Sequence, residues 1–140
     1  MSVSVIFFDI GNTLVNKKQW LPGAKKFVSV AKEKGIRVGL ISNTGDLDRE
    51  KLAELLPVDF SFAAFEEGLT LLSSEIGIEK PELGLFLLAI QHANVPPWET
   101  MFVGESLVET LAAQNSGMKA ARIVLPEEDY QQLTKIITGG

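Results

Sequence analysis

The stretch Ser4-Val5-Ile6-Phe7-Phe8-Asp9-Ile10-Gly11-Asn12-Thr13-Leu14 restricts the fold of this chain more than any other. Val5 to Phe8 are β-branched or aromatic and carry no polar interruption, the composition of a strand covered on both faces inside a parallel sheet. The run stops at one carboxylate, Asp9, and Gly11, Asn12 and Thr13 then read as a tight turn. In open α/β sheets ligands bind in the crevice just outside strand carboxyl ends. Asp9 is therefore the first candidate for chemistry.

The remaining segments supply a sheet for that strand to join. Pro22-Gly23 opens a helix through Ala24, Phe27, Val28 and Ala31, with lysines on its outer face and Gly35 as the stop. Arg37 to Gly45 repeats the opening pattern, an apolar run ending in Ser42, Asn43 and Thr44. A helix follows over Leu47 to Leu56, capped by Asp46 or Asp48 and ended by Pro57. Leu69 to Ser73 reads as a third strand, Ser74 to Glu79 as a loop, and Pro81 as the start of a helix that ends near Asn94. Thr100 to Val103 is a fourth strand ending in Gly104-Glu105-Ser106, followed by a helix from Leu107 to Ser116. Lys119 to Leu125 is a fifth strand, and Pro126 begins a last helix through Ile137. Strands alternating with helices at this spacing imply right-handed βαβ units and an α/β fold, a doubly wound, three-layer, Rossmann-like parallel sheet.

Two stretches stay open. Val15 to Trp20 reads as a loop near the site mouth, with Trp20 either a plug against the body or a wall facing substrate. Val58 to Gly68 has no clean period and reads as a short strand or a packed loop, its Phe60, Phe62 and Phe65 belonging to the core or to an oligomer surface.

Bulk properties narrow the classes of function. At 140 residues, residues 1–140 are expected to form one domain, long enough to bury roughly two-thirds of the unfolded surface. A net charge of −5 and a pI near 4.9 lack the basic field that nucleic acids or anionic membranes attract, so neither is an expected partner. The absence of cysteine excludes disulfides and thiolate metal sites and leaves the cytoplasm as the expected location. The first apolar run is too short for a membrane span and has no basic leader, so neither a signal peptide nor a membrane helix is expected there. His92 is the single histidine and reads as a surface residue, which leaves no histidine triad or zinc site.

The polar groups at the segment ends come in the order Asp9, Ser42, Lys80, then Glu105 with Glu109. That series resembles the haloacid dehalogenase-like (HAD) hydrolase superfamily along nearly the whole chain. Asp9-Ile10-Gly11-Asn12-Thr13 resembles the family's Asp-x-Asp-Gly-Thr after an apolar strand, and Ser42 matches the Ser or Thr that ends its second. Lys80-Pro81 matches the motif lysine, and Gly104-Glu105-Ser106-Leu107-Val108-Glu109 has the spacing of Gly-Asp-x-x-x-Asp. The resemblance implies a Mg²⁺-dependent phosphatase in which Asp9 is the nucleophile that forms an aspartyl-phosphate, later hydrolysed by water. It further implies that Asp9, the Gly11 backbone carbonyl and Glu105 hold Mg²⁺, with Glu109 as a further ligand or an anchor. Ser42, Asn43 and Lys80 would hold the phosphoryl oxygens, Lys80 also balancing the charge on Asp9. The physics is consistent: a carboxylate approaches an anionic phosphoryl group only when cations neutralise the field.

Three departures from the family pattern shape the expectation. The second aspartate of the first motif, the family's general acid and base, is Gly11 here. Losing a positioned acid or base costs about 10²–10⁴ in rate, or roughly 3–5 kcal/mol of barrier. Activity should therefore favour good leaving groups such as acyl or aryl phosphates, and the alternative is an impaired fold kept for binding or regulation. Both acids of the fourth motif are glutamates, one methylene longer than Mg²⁺ geometry usually meets there, and acids at a helix start also satisfy the dipole. Finally, Asp9 and Ser42 are 33 positions apart and Ser42 and Lys80 are 38 apart, each interval filled by one helix and its connections. That spacing leaves no room for a cap domain. A capless site implies a large or macromolecular phosphorylated substrate, or a homo-oligomer whose neighbouring subunits complete the pocket.

Overall fold

The computed structural model describes residues 2–139. Its main sheet has the parallel order β5-β4-β1-β6-β7, built from β1 (Val5–Phe8), β4 (Arg37–Ser42), β5 (Thr70–Leu72), β6 (Thr100–Gly104) and β7 (Lys119–Arg122). The chain winds outward from β1 through β4 to β5, then returns to the other side of β1 to lay down β6 and β7. The order therefore reverses beside β1, which places a ligand crevice at that strand's carboxyl end. Phe8 is in register with Leu40 on one side and with Val103 on the other.

Alternation along β1 assigns the two faces. Ile6 and Phe8 join a core with Phe27 of α1 (Ala24–Glu33) and with Tyr130 and Leu133 of α6 (Pro126–Thr138). Val5 and Phe7 join a second core with Phe86 of α4 (Leu83–Ala93), Ala112 and Ala113 of α5 (Leu107–Asn115), and Phe102. Every residue of β1 is fully buried, so the strand is apolar throughout because both faces are covered. Phe8 meets Phe27 edge-on at 5.9 Å and Phe86 meets Phe102 likewise at 5.2 Å, the edge-to-face geometry that aromatic quadrupoles favour.

Several expectations shift. Val15 to Trp20 forms a two-stranded antiparallel hairpin, β2 (Val15–Asn16) and β3 (Gln19–Trp20), with Lys17 and Lys18 at φ 50° and 64°. Two consecutive left-handed residues make the tight turn whose twist suits a hairpin, here without glycine. Trp20 is the plug: it stacks on Phe60 at 5.4 Å, and its Nε1 donates to Asp59 (2.8 Å). Val58 to Gly68 contains two 3₁₀ turns and no strand, with Phe65 buried and Phe60 and Phe62 packed against the core. The Ser74–Glu79 segment is a loop only in part, because α3 (Ser73–Ile76) begins where β5 ends. The fifth strand stops at Arg122, short of the expected Leu125. The helix after β4 is α2 (Arg49–Ala53), shorter than its apolar pattern, and Asp48 is its cap, accepting from the Lys51 N–H. His92 is exposed, and its Nδ1 lies 2.9 Å from the Gly68 carbonyl.

One glycine in the sheet is required by contact. A Cβ at Gly39 of β4 would collide with the Leu69 carbonyl oxygen and side chain and press on the Phe7 ring. Gly39→Ala is expected to cost about 1–3 kcal/mol through overpacking, read as a lower urea midpoint; an unchanged midpoint would show that the 69 segment can retreat.

Candidate active site

The expected site residues come from different elements but reach one edge of the sheet. Asp9 follows β1, and its N–H donates to the Val103 carbonyl of the adjacent β6 (3.0 Å). Its Oδ1 accepts from the Ile10 N–H (2.8 Å). The next turn is compact: the Ile10 carbonyl accepts from the backbone N–H groups of Thr13, Leu14 and Val15. Asn12 sits at φ 58°, the left-handed region where asparagine is tolerated. Ser42, buried, ends β4 beside β1, and Glu105 follows β6 on the other side.

Lys80 completes the centre. Its side chain is 1% exposed, with Nζ 2.9 Å from Asp9 Oδ1 and 2.7 Å from Glu109 Oε1, and 5.3 Å from the Phe102 ring centroid. A buried ammonium between two carboxylates and above an aromatic face meets the condition under which a charge is tolerated in an interior. The neighbouring Gly104 leaves room for the Phe102 ring, which a Cβ there would strike.

Asn43 does something the sequence did not suggest. Its Oδ1 accepts from the Lys80 N–H (2.8 Å) and its Nδ2 donates to the Lys80 carbonyl (3.0 Å). The amide is spent on holding the lysine backbone, so any hold on phosphate would fall to the backbone of Asn43. Thr44 extends the brace, its N–H donating to Ser73 Oγ (2.8 Å) and its hydroxyl to Ser74 Oγ (2.7 Å). Glu109 likewise differs from an ordinary helix-capping acid. Ser106 caps α5 by accepting from the Glu109 N–H (3.2 Å), but the carboxylate faces Lys80, and its Oε1 is paired with the ammonium.

Among the described residues no three His, Cys, Asp or Glu side chains group to hold a metal ion. Mg²⁺ commonly binds through one or two carboxylates, waters and substrate phosphate rather than through a protein cage. The donors on this edge, the Asp9 and Glu105 carboxylates and the Gly11 carbonyl, are all hard oxygens that fit such a cation.

Tyr130 was not a candidate in the sequence, yet it supports the site from beneath. Its buried hydroxyl donates to the Thr13 carbonyl, so α6 holds the turn after Asp9. Burial pushes its phenol far above the ordinary value, and the charges of Asp9 and Asp129 add to that. The folded chain therefore keeps a proton that the unfolded chain releases, so stability is full below about pH 10 and falls as pH rises beyond it, by up to about 1.4 kcal/mol per pH unit. Tyr130→Phe should flatten this alkaline decline in urea midpoints taken between about pH 8 and 11. An equally steep decline in the variant would place the titrating group elsewhere.

The structure is thus a doubly wound α/β protein with a carboxylate, a buried lysine and a hydroxyl residue gathered at its switch point. Comparison with known proteins makes the class specific. A family model described as haloacid dehalogenase-like hydrolase matches residues 17–117, and the chain belongs to that family. Glyceraldehyde 3-phosphate phosphatase of Pyrococcus abyssi is 33% identical over 121 residues, 85% of this chain and 48% of that protein. A protein from Corynebacterium glutamicum, solved by crystallography, has the same fold with a TM-score of 0.76 at 19% identity, covering 98% of this chain and 96% of its own. A HAD family enzyme from Bacteroides thetaiotaomicron, solved in complex with magnesium and inorganic phosphate, gives 0.64 at 16% identity over 88% of this chain and 95% of that one. The chain spans less than half the length of the phosphoserine and glyceraldehyde 3-phosphate phosphatases it matches, and 84% of a D-glycero-beta-D-manno-heptose-1,7-bisphosphate 7-phosphatase of Haemophilus ducreyi, to which it is 23% identical. No helix among the described residues is long and apolar enough to cross a membrane.

Proposed function

We propose that the chain is a Mg²⁺-dependent phosphohydrolase working through Asp9, with a preference for substrates whose leaving group needs no proton. The observation that carries this is the Lys80 ammonium set on Asp9 and Glu109 at once. In this reading an Asp9 carboxylate oxygen attacks phosphorus, the ester P–O bond breaks, and its electron pair departs with the leaving group. Water then attacks the same phosphorus, freeing Asp9 and inorganic phosphate. Lys80 offsets the charge that builds between carboxylate and phosphoryl oxygens, and Glu109 holds Lys80 in place. Ser42 and the backbone beside Asn43 hold phosphoryl oxygens. Mg²⁺, bound by Asp9, the Gly11 carbonyl and Glu105, would supply further positive charge. Support for the metal comes from the hard-oxygen donors and from the magnesium and phosphate in the Bacteroides enzyme. The phosphatases among the relatives favour a small phosphorylated molecule as substrate.

With Gly11 beside the leaving oxygen, no side chain stands where the family's acid would be. Acetyl phosphate and p-nitrophenyl phosphate should be hydrolysed in the presence of Mg²⁺, and Asp9→Asn should lower the rate by at least about 10³-fold. Alkyl phosphates should lag behind; equal rates on alkyl and aryl esters would mean that another group donates the proton. Gly11 also favours a second reading, a phosphate-binding protein without turnover, which tight phosphate binding with no hydrolysis of acetyl phosphate would establish.

A further inference from the structure

A cavity of about 300 Å³ opens at the turn that follows Asp9, between Gly11 and Ser42. Gly11 and Ser42 face it from the strand ends, Val15 from the hairpin, and Leu52, Leu55 and Leu56 from α2 and the turn after it. We infer that this cavity is a leaving-group subsite that takes an aromatic or branched apolar group. The inference rests on the phosphohydrolase reading and adds the substrate class.

Position is the first argument. In phosphoryl transfer the attacking and leaving oxygens lie roughly in line, and position 11 is where the family's motif carries the acid that serves the leaving oxygen, so the leaving group is expected to face the space beside Gly11. A Cβ at Gly11 would meet nothing within 4 Å, so this space is open where the family carries a carboxyl. Chemistry is the second. Leu52 and Leu56 are buried, but Leu55 beside them is 55% exposed and contributes nothing to the core. Asn12, Asn16 and Lys17 also line the cavity, the Asn16 Nδ2 donating to Asn12 Oδ1 (2.6 Å), so the leucines form the apolar wall of a pocket whose other side is polar. The volume is at the small end of ligand pockets and suits a single ring.

Both walls are tied to the body of the protein by side-chain contacts. Arg49 of α2 donates to Glu67 (2.8 Å) and to Glu75 (2.9 Å) and lies over the Phe62 ring at 5.4 Å. The hairpin is held by Trp20 on Phe60 and Asp59. A preformed pocket loses little freedom on binding, so apolar contact is expressed as affinity.

Calorimetric titration with phenylphosphonate and methylphosphonate in the presence of Mg²⁺ tests the subsite, because the two carry the same head group. The native protein should bind phenylphosphonate roughly tenfold tighter, and Leu55→Asp should reduce that ratio to about twofold or less. Ile136→Asp, a control at an exposed position near the far end of α6, should keep the native ratio. Equal affinities in the native protein, or a ratio untouched by Leu55→Asp, would overturn the subsite. A preserved ratio in a protein that fails to hydrolyse acetyl phosphate would leave the subsite standing and remove the hydrolase; hydrolysis with no preference would do the reverse.

Discussion

Gly11→Asp is expected to raise kcat/KM on alkyl phosphates by roughly 10²–10⁴-fold, the contribution of a positioned acid. The structure makes the substitution feasible: the backbone there is not left-handed, and a Cβ would enter open space. The new carboxyl would stand beside the leaving oxygen and protonate it as the ester bond breaks. Aryl and acyl phosphates should gain much less, since their leaving groups depart as stable anions. The informative quantity is the ratio of the two gains, measured with glycerol phosphate and p-nitrophenyl phosphate. Equal gains would show that the aspartate acts through charge or metal binding, and no gain on either would show that proton transfer does not limit this site.

Lys80→Met should remove activity by at least about 10³-fold and cost about 3–5 kcal/mol of stability, because the ammonium leaves two largely buried carboxylates facing each other without a cation. Asp9 and Glu109 have side-chain exposures of only 13% and 19%, so water screens them little. Adding Glu109→Gln to Lys80→Met should recover part of the stability and none of the activity. Such a cycle separates the structural role of the ammonium from its role toward phosphate. If Lys80→Met unfolded at the native urea concentration, the bridge between Asp9 and Glu109 would not be a stabilising feature.

These two outcomes differ in how far the sequence foretells them. The absence of a side chain at position 11 is legible in the sequence, because the motif around Asp9 is contiguous and its turn is local. Alternating apolar runs and helical faces show the parallel sheet for the same reason: strand and helix periods are properties of neighbouring residues. The hairpin at Val15 to Trp20 was missed because its turn uses two lysines in place of Asn-Gly. The helix at Ser73 was missed because it is a single turn stabilised by tertiary contact.

The sequence by itself determined that a carboxylate ends the first strand, that hydroxyl, lysine and glutamate residues follow at later segment ends, and that the family's acid is missing. Only the tertiary structure decided that Asn43 spends its amide on Lys80, that Glu109 turns to the ammonium, and that Tyr130 carries the turn at Thr13. The last two residues are 117 positions apart. Such pairings depend on which helix packs over which strand, a choice made by burying both faces of the sheet together, and no local pattern of residues encodes it.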